Sequence, residues 1–200
     1  MSTILQRAVK SIPPSIGFAL CLAVLYLVTH QFAALMLGPQ GIHFIRQSDS
    51  LSFASNYFHF DYGLFEPHVF NLTSTDGAAA CEFPVLYYIA AMVYRFTGES
   101  YSVLRIIHLI IISGGFIAAF QFMHRRLKDF LVATSLTMIL ITSTVVLYYA
   151  SNFLVDSAAL GLALLGLDRF DRFRSSEMTL HHILSVLFFT LSCLLKITFA

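Results

Sequence analysis

Three carboxylates stand at the mouths of apolar segments: Asp49, Glu82 and Asp156. Two cations keep similar company. Arg46 lies three residues before Asp49, and Lys196 lies near the end of the last apolar run. Carboxylates converging at a membrane face suit two kinds of chemistry. One takes a proton as a general base. The other holds a hard divalent cation, for which Asp49 and Asp156 are the candidate metal ligands. The cations suit an anionic group such as a phosphate.

The elements that must position these residues are apolar. The chain is 58% hydrophobic and 12% charged, with a mean hydropathy of +0.77. A soluble domain is nearer half apolar and a quarter charged. The shortage of charge argues for an all-α integral membrane protein. The near-neutral balance gives no reason to expect a nucleic-acid partner. Cys21, Cys81 and Cys193 are scattered and indicate neither a disulfide framework nor a thiolate metal site. Tryptophan is absent, so Tyr and Phe must anchor the interfaces.

The first apolar run follows Arg7 and Lys10 and is longer than a secretory signal core. It reads as an uncleaved first span over 14–37, capped by Ser11 with Pro13 and Pro14 in its first turn. Further spans are expected over about 102–123, 130–150, 157–173 and 180–200. The intervening outer loop, 38–101, carries two shorter apolar segments, about 51–60 and 84–97. Both are too short to cross a bilayer, which needs roughly 20 residues, and read as interfacial helices. The Ser/Thr/Gly/Ala-rich stretch 71–80 reads as a loop. The apolar ending, without cap or polar tail, is expected of an N-terminal portion of a longer multi-pass protein.

Sidedness follows from the basic residues. With the N-terminus inside, Arg7, Lys10, Arg125, Arg126, Lys128, Arg169, Arg172 and Arg174 are inside, while Arg46, Arg95, Arg105 and Lys196 are outside. That distribution satisfies the positive-inside rule. It places Asp49, Glu82, Asp156 and Lys196 on the non-cytoplasmic face.

Each candidate also has a plainer account. Asp49, or Ser48 in its place, could be the N-cap of the 51–60 helix. Glu82 could complement the dipole of the helix that Pro84 opens. Asp156 could cap the 157–173 helix, and Lys196 could snorkel to the headgroups. His43, His59 and His68 match no metal spacing and read as solvated loop histidines. His181 and His182 read as interfacial, and Asn71-Leu72-Thr73 fits a glycosylation triplet.

Taken in order, these residues resemble the N-terminal half of the GT-C membrane glycosyltransferases. The likeness is to the protein O-mannosyltransferase and aminoarabinose-transferase-like group (glycosyltransferase family 39-like). Its first outer loop carries an acidic residue, here Asp49 in HFIRQSDSLSFASNYF, with Phe44-Ile45 departing from a Trp-containing form. A Glu-x-Pro element opens a surface helix, here Glu82-Phe83-Pro84, followed by Gly98 and Arg105. Some members carry Lys where this chain has Phe83, so that residue's phosphate contact does not carry over. Asp156 matches an Asp opening the fourth span, and Lys196 a Lys near the top of the fifth.

The resemblance implies a GT-C-type multi-pass helical bundle. It implies transfer of a sugar from a polyprenyl-phosphate donor to a lipid, glycan or protein acceptor. The site would lie among membrane lipids on the periplasmic face of a bacterial inner membrane. Asp49 would be the base. Asp156 and Glu82 would position the acceptor or hold a divalent metal, and Arg46 and Lys196 would meet the carrier phosphate. Two other classes stay open: a non-catalytic membrane scaffold or lipid-binding subunit, and a transporter. A transporter fits less well, because no mid-span acid or broken helix is evident in the sequence.

Overall fold

The structure is a computed structural model that describes residues 13–70 and 76–196. Regular structure among them is helical, apart from an isolated antiparallel bridge between His68 and Ala78. Ser11, Arg7 and Lys10, the Asn71-Leu72-Thr73 triplet, and the tail from 197 onward lie outside the described residues.

Pro13 and Pro14 open α1 (Pro14–Val28), where a missing N–H costs nothing. The expected single span over 14–37 is divided. Thr29 ends α1, His30 takes a left-handed conformation (φ 56°), and only a short α2 (Gln31–Ala34) follows. Next come α3 (Phe44–His59) and α4 (Val85–Thr97). The longest helix, α5 (Tyr101–Leu127), starts where the Ser100 side chain accepts the Ser102 N–H and stops at left-handed Lys128. Asp129 at once caps α6 (Phe130–Ile141) by accepting the Val132 N–H, which makes a two-residue hairpin.

The expected 130–150 segment is also divided. α6 and α7 (Thr144–Ala150) meet at a 76° bend around Thr142 and Ser143. The Thr142 hydroxyl donates to the Met138 carbonyl at the end of α6. Polar residues at the break can satisfy the backbone groups that a bend releases. α8 (Asp156–Ser176) and α9 (Thr179–Leu195) form a second tight hairpin about left-handed Glu177.

α5 is the hub. Its N-terminal half joins α3, α4, α8 and α9 in one apolar cluster containing Phe53, Tyr57, Tyr87, Leu104, Phe153 and Leu195. Its other half joins α1 and α6 around Phe18, Leu22, Phe116 and Phe120, with the Phe18 and Phe120 rings stacked at 4.5 Å. α5 and α8 cross where two glycines face each other. A Cβ on Gly115 would lie 2.5 Å from the Gly161 Cα. Small residues permit that backbone approach, a device common where apolar helices pack in lipid.

At the far end from Asp156 the same pair is clasped by charge. Asp168 and Asp171 are buried on α8. Arg125 bridges both, at 2.8 Å each, Arg126 also binds Asp171, and Arg172 holds Asp168 at 2.9 Å.

Among the described helices, α5 is long and apolar enough to cross a membrane, and α6 with α7 passes the same test only as a bent pair. Apolar side chains cover outward faces elsewhere, including Leu20 and Val24 on α1, Leu131 and Ile139 on α6, and Ile183 and Val186 on α9.

Candidate active site

Asp49 is not a cap. The helix expected over 51–60 begins two turns earlier, at Phe44, and Asp49 is its sixth residue. The polar run Arg46-Gln47-Ser48-Asp49-Ser50 is helical because its side chains are occupied. Ser48 and Ser50 donate to the carbonyls four residues back, and Gln47 bonds both backbone groups of Gln40. The helix N-cap position is His43, without a side-chain capping bond. Asp49 therefore has no local structural task.

Helical spacing puts Arg46, Asp49, Ser50 and Phe53 on one face. That face forms one wall of a cavity of about 630 Å³, which Ala78–Glu82, Val69 and Leu154 complete. Glu82 precedes Pro84, the N-cap residue of α4, so it lies outside that helix. It accepts from Arg46 across 3.1 Å. Arg46 is half-exposed (50%) and Glu82 less so (28%), so the pair is open to exchange with a ligand. Cys81 also lines this cavity. Burial, and then the charge of Glu82, pushes its thiol up to about 11, so no thiolate is available near neutral pH.

Asp156 and Lys196 form a separate pair. Asp156 is the first residue of α8, where a negative charge favours the helix dipole. It does not cap; the cap position is Val155. Its Oδ1 meets Lys196 Nζ at 3.2 Å, while its Oδ2 is buried without a hydrogen-bond partner among the described residues. It lines a second cavity, about 200 Å³, with Ile112, Val145, Val146, Tyr149, Ser157 and Leu160. The two sets of candidates are chain neighbours. Leu154 of the first cavity is two residues from Asp156, and the Phe83 N–H donates to Leu194 O at 3.2 Å, two residues from Lys196.

The five predicted residues thus divide three and two. For a divalent metal the donor set fits poorly. No group of three or more His, Cys, Asp and Glu that could hold one forms among the described residues, and Glu82 and Asp156 already face cations.

Arg105, which the family resemblance marked, and His108, which the sequence did not single out, stand at this end of the bundle. Arg105 and His108 share a face of α5 by their three-residue spacing and are both buried. Arg105 donates to the carbonyls of Ser151 and Gly38, with its guanidinium 4.0 Å above the Phe153 ring. His108 Nδ1 is 2.9 Å from Asn152 O. A basic pair in an apolar helix was the available signal. The loop histidines also have partners. His43 bonds the Tyr149 hydroxyl at 2.8 Å, His59 pairs with Glu99 at 3.0 Å, and His68 stacks on Tyr62.

No family model, curated protein or solved structure matches this chain. The likeness to GT-C enzymes rests on the ordered residues alone.

Proposed function

We propose that this chain belongs to a multi-pass membrane glycosyltransferase that moves a sugar from a polyprenyl-phosphate donor to an acceptor hydroxyl on the non-cytoplasmic face. One observation carries the reading. Asp49 sits inside a helix, free of any capping role, and faces a cavity that also holds an exchangeable Arg46–Glu82 pair. Apolar outward faces on α1, α6 and α9 support a membrane setting. The distribution of Lys and Arg favours a periplasm-facing site in a bacterial inner membrane.

In the proposed reaction Asp49 accepts the proton of the acceptor hydroxyl as its oxygen bonds to the anomeric carbon. The bond from that carbon to the phosphate oxygen breaks, and the polyprenyl phosphate leaves with the electron pair. Arg46 would exchange Glu82 for the phosphate and offset its growing charge. Glu82 would then turn to the acceptor. Lys196, held by Asp156, is the second cation for the carrier, and Asp156 orients it.

The test is polyprenyl-phosphate release by the full-length protein in membranes, from a panel of polyprenyl-phosphate sugars. Asp49→Asn keeps size and polarity but removes the base. A fall of roughly 100–10,000-fold is expected. Wild-type turnover that survives Asp49→Asn would remove Asp49 from the chemistry and leave the transferase class standing. If wild type consumes no donor, the scaffold reading takes its place.

A further inference from the structure

A third cavity, apart from the two that hold the carboxylates, is lined largely by buried polar side chains. It is a small cavity of about 170 Å³ behind α3, lined in part by Gln31, Gln47, Arg105, Tyr148, Ser151 and Asn152. Five of these six are more than nine-tenths buried: Gln31, Gln47, Arg105, Ser151 and Asn152. Its lining contains no carboxylate.

Arg105 is the anomaly. It is 3% exposed, and it forms no ion pair among the described residues. Two backbone carbonyls and the face of Phe153 supply partial negative charge only. Its Nε is buried with no acceptor. An arginine stays charged, so burial without a counter-charge is costly. The arginines at the other end of α5 show the contrast, since Arg125 and Arg126 both reach buried aspartates.

The geometry points to a bound monovalent inorganic anion, of the halide class, as the missing counter-charge. Three features select it. The cavity, about 170 Å³, takes one small inorganic ion together with several waters. One guanidinium balances one negative charge, which disfavours a doubly charged oxyanion. The neighbouring groups add no charge: the Tyr148 hydroxyl, which accepts from Gln47, keeps its own proton to donate to an anion, while the Ser151 hydroxyl already donates to Gln31. The site is distinct from the cavity of Asp49 and does not depend on the transferase reading. The ion would tie α5 to the segments at Gly38 and Ser151, and so steady the loop that leads to Asp156.

The test uses the full-length protein in detergent, exchanged into gluconate as the reference anion. Chloride or bromide should raise the apparent Tm saturably, by about 5 °C or more at a hundredfold excess over Kd. Arg105→Gln should abolish the rise. Bromide should give an anomalous scattering peak beside Arg105 in crystals of the wild-type protein, which decides the matter even where the variant fails to fold. Parallel arms add inorganic phosphate or a soluble short-chain phospholipid. Stabilisation by the phospholipid alone would assign the site to a headgroup and overturn the halide. A wild-type Tm indifferent to halide, or a bromide peak elsewhere, would also overturn it.

Discussion

Replacing Gly161 by alanine should unseat α8 from α5, whereas the same change at Gly114 should do no harm. At Gly161 an added Cβ meets Ile111 O at 2.7 Å and Ile112 Cα at 2.8 Å. An ordinary contact begins near 3.4 Å, so the helices must part by about 0.7 Å (3.4 − 2.7). The obstacles are backbone atoms of the hub helix and cannot swing aside like a side chain. Overpacking of this kind costs about 1–3 kcal/mol, and a backbone clash belongs at the upper end. At roughly 2–4 °C per kcal/mol for a chain of this size, the apparent Tm should fall by about 6–12 °C. At Gly114 nothing lies within 4 Å. Alanine there should be neutral or stabilising by up to about 1 kcal/mol, through the unfolded chain and helix propensity. The double variant Gly115→Ala/Gly161→Ala should cost less than the sum of its parts, because one displacement admits both methyls. The assay is a thermal scan of the purified full-length protein. Equal Tm values for the Gly114 and Gly161 variants would refute the crossing as drawn.

Asp171→Asn should lower the apparent Tm by on the order of 10 °C, since it leaves Arg125 and Arg126 at a buried carboxylate position (5% exposed) without that charge; a change under about 2 °C in the same scan would show the clasp to be solvated. Arg46→Gln should cost less than about 1 kcal/mol in denaturant unfolding, because its pair with Glu82 is partly exposed. Its donor turnover should nevertheless fall, and a parallel loss of both would mark the pair as structural. Burial alone would raise the Glu99 carboxyl, but hydrogen bonds from Ser55 and His59 and the charge of His59 hold it below the usual range. A depressed folded-state pKa adds stability above the ordinary glutamate range and loses it as pH falls through and below that range. Unfolding midpoints measured across that window should drop for wild type and stay flatter for Glu99→Gln.

Much of the helical framework is legible because its punctuation is local. Ser100 ahead of an apolar run, and the Lys128-Asp129 pair after it, mark the ends of α5 and the start of α6 through caps that act within three residues. The breaks at Thr29–His30 and Thr142–Ser143 are not legible. They fall at short polar insertions, Thr29-His30-Gln31 and Thr142-Ser143-Thr144, in otherwise apolar runs, and residue type alone does not tell a bent run from a continuous one. The start of α3 was missed for the opposite reason. Its first turns are polar and resemble a loop, and they are helical because Gln40 and the carbonyls of Phe44 and Arg46 accept their side chains. That displacement of helix start is what moves Asp49 from a cap to a cavity wall.

The charges repeat the pattern. Residue types alone marked Arg46, Asp49, Glu82, Asp156 and Lys196, but not their division into a triad at one cavity and an ion pair beside another. Sequence separation hides it, since Arg46 and Glu82 meet across 36 positions and Asp156 and Lys196 across 40. The basic residues counted for sidedness include Arg125, Arg126 and Arg172, which the structure ties to Asp168 and Asp171. Under the membrane reading this pairing does not undo the orientation, because acidic residues contribute little to the positive-inside bias. It gives those arginines a second task, clasping α5 to α8 at the end opposite Asp156. The glycine contact between Gly115 and Gly161 then acts as the fulcrum between clasp and site. A displacement there should be felt first at Asp156 and Lys196, so Gly161→Ala should weaken donor turnover by more than its loss of folded protein accounts for.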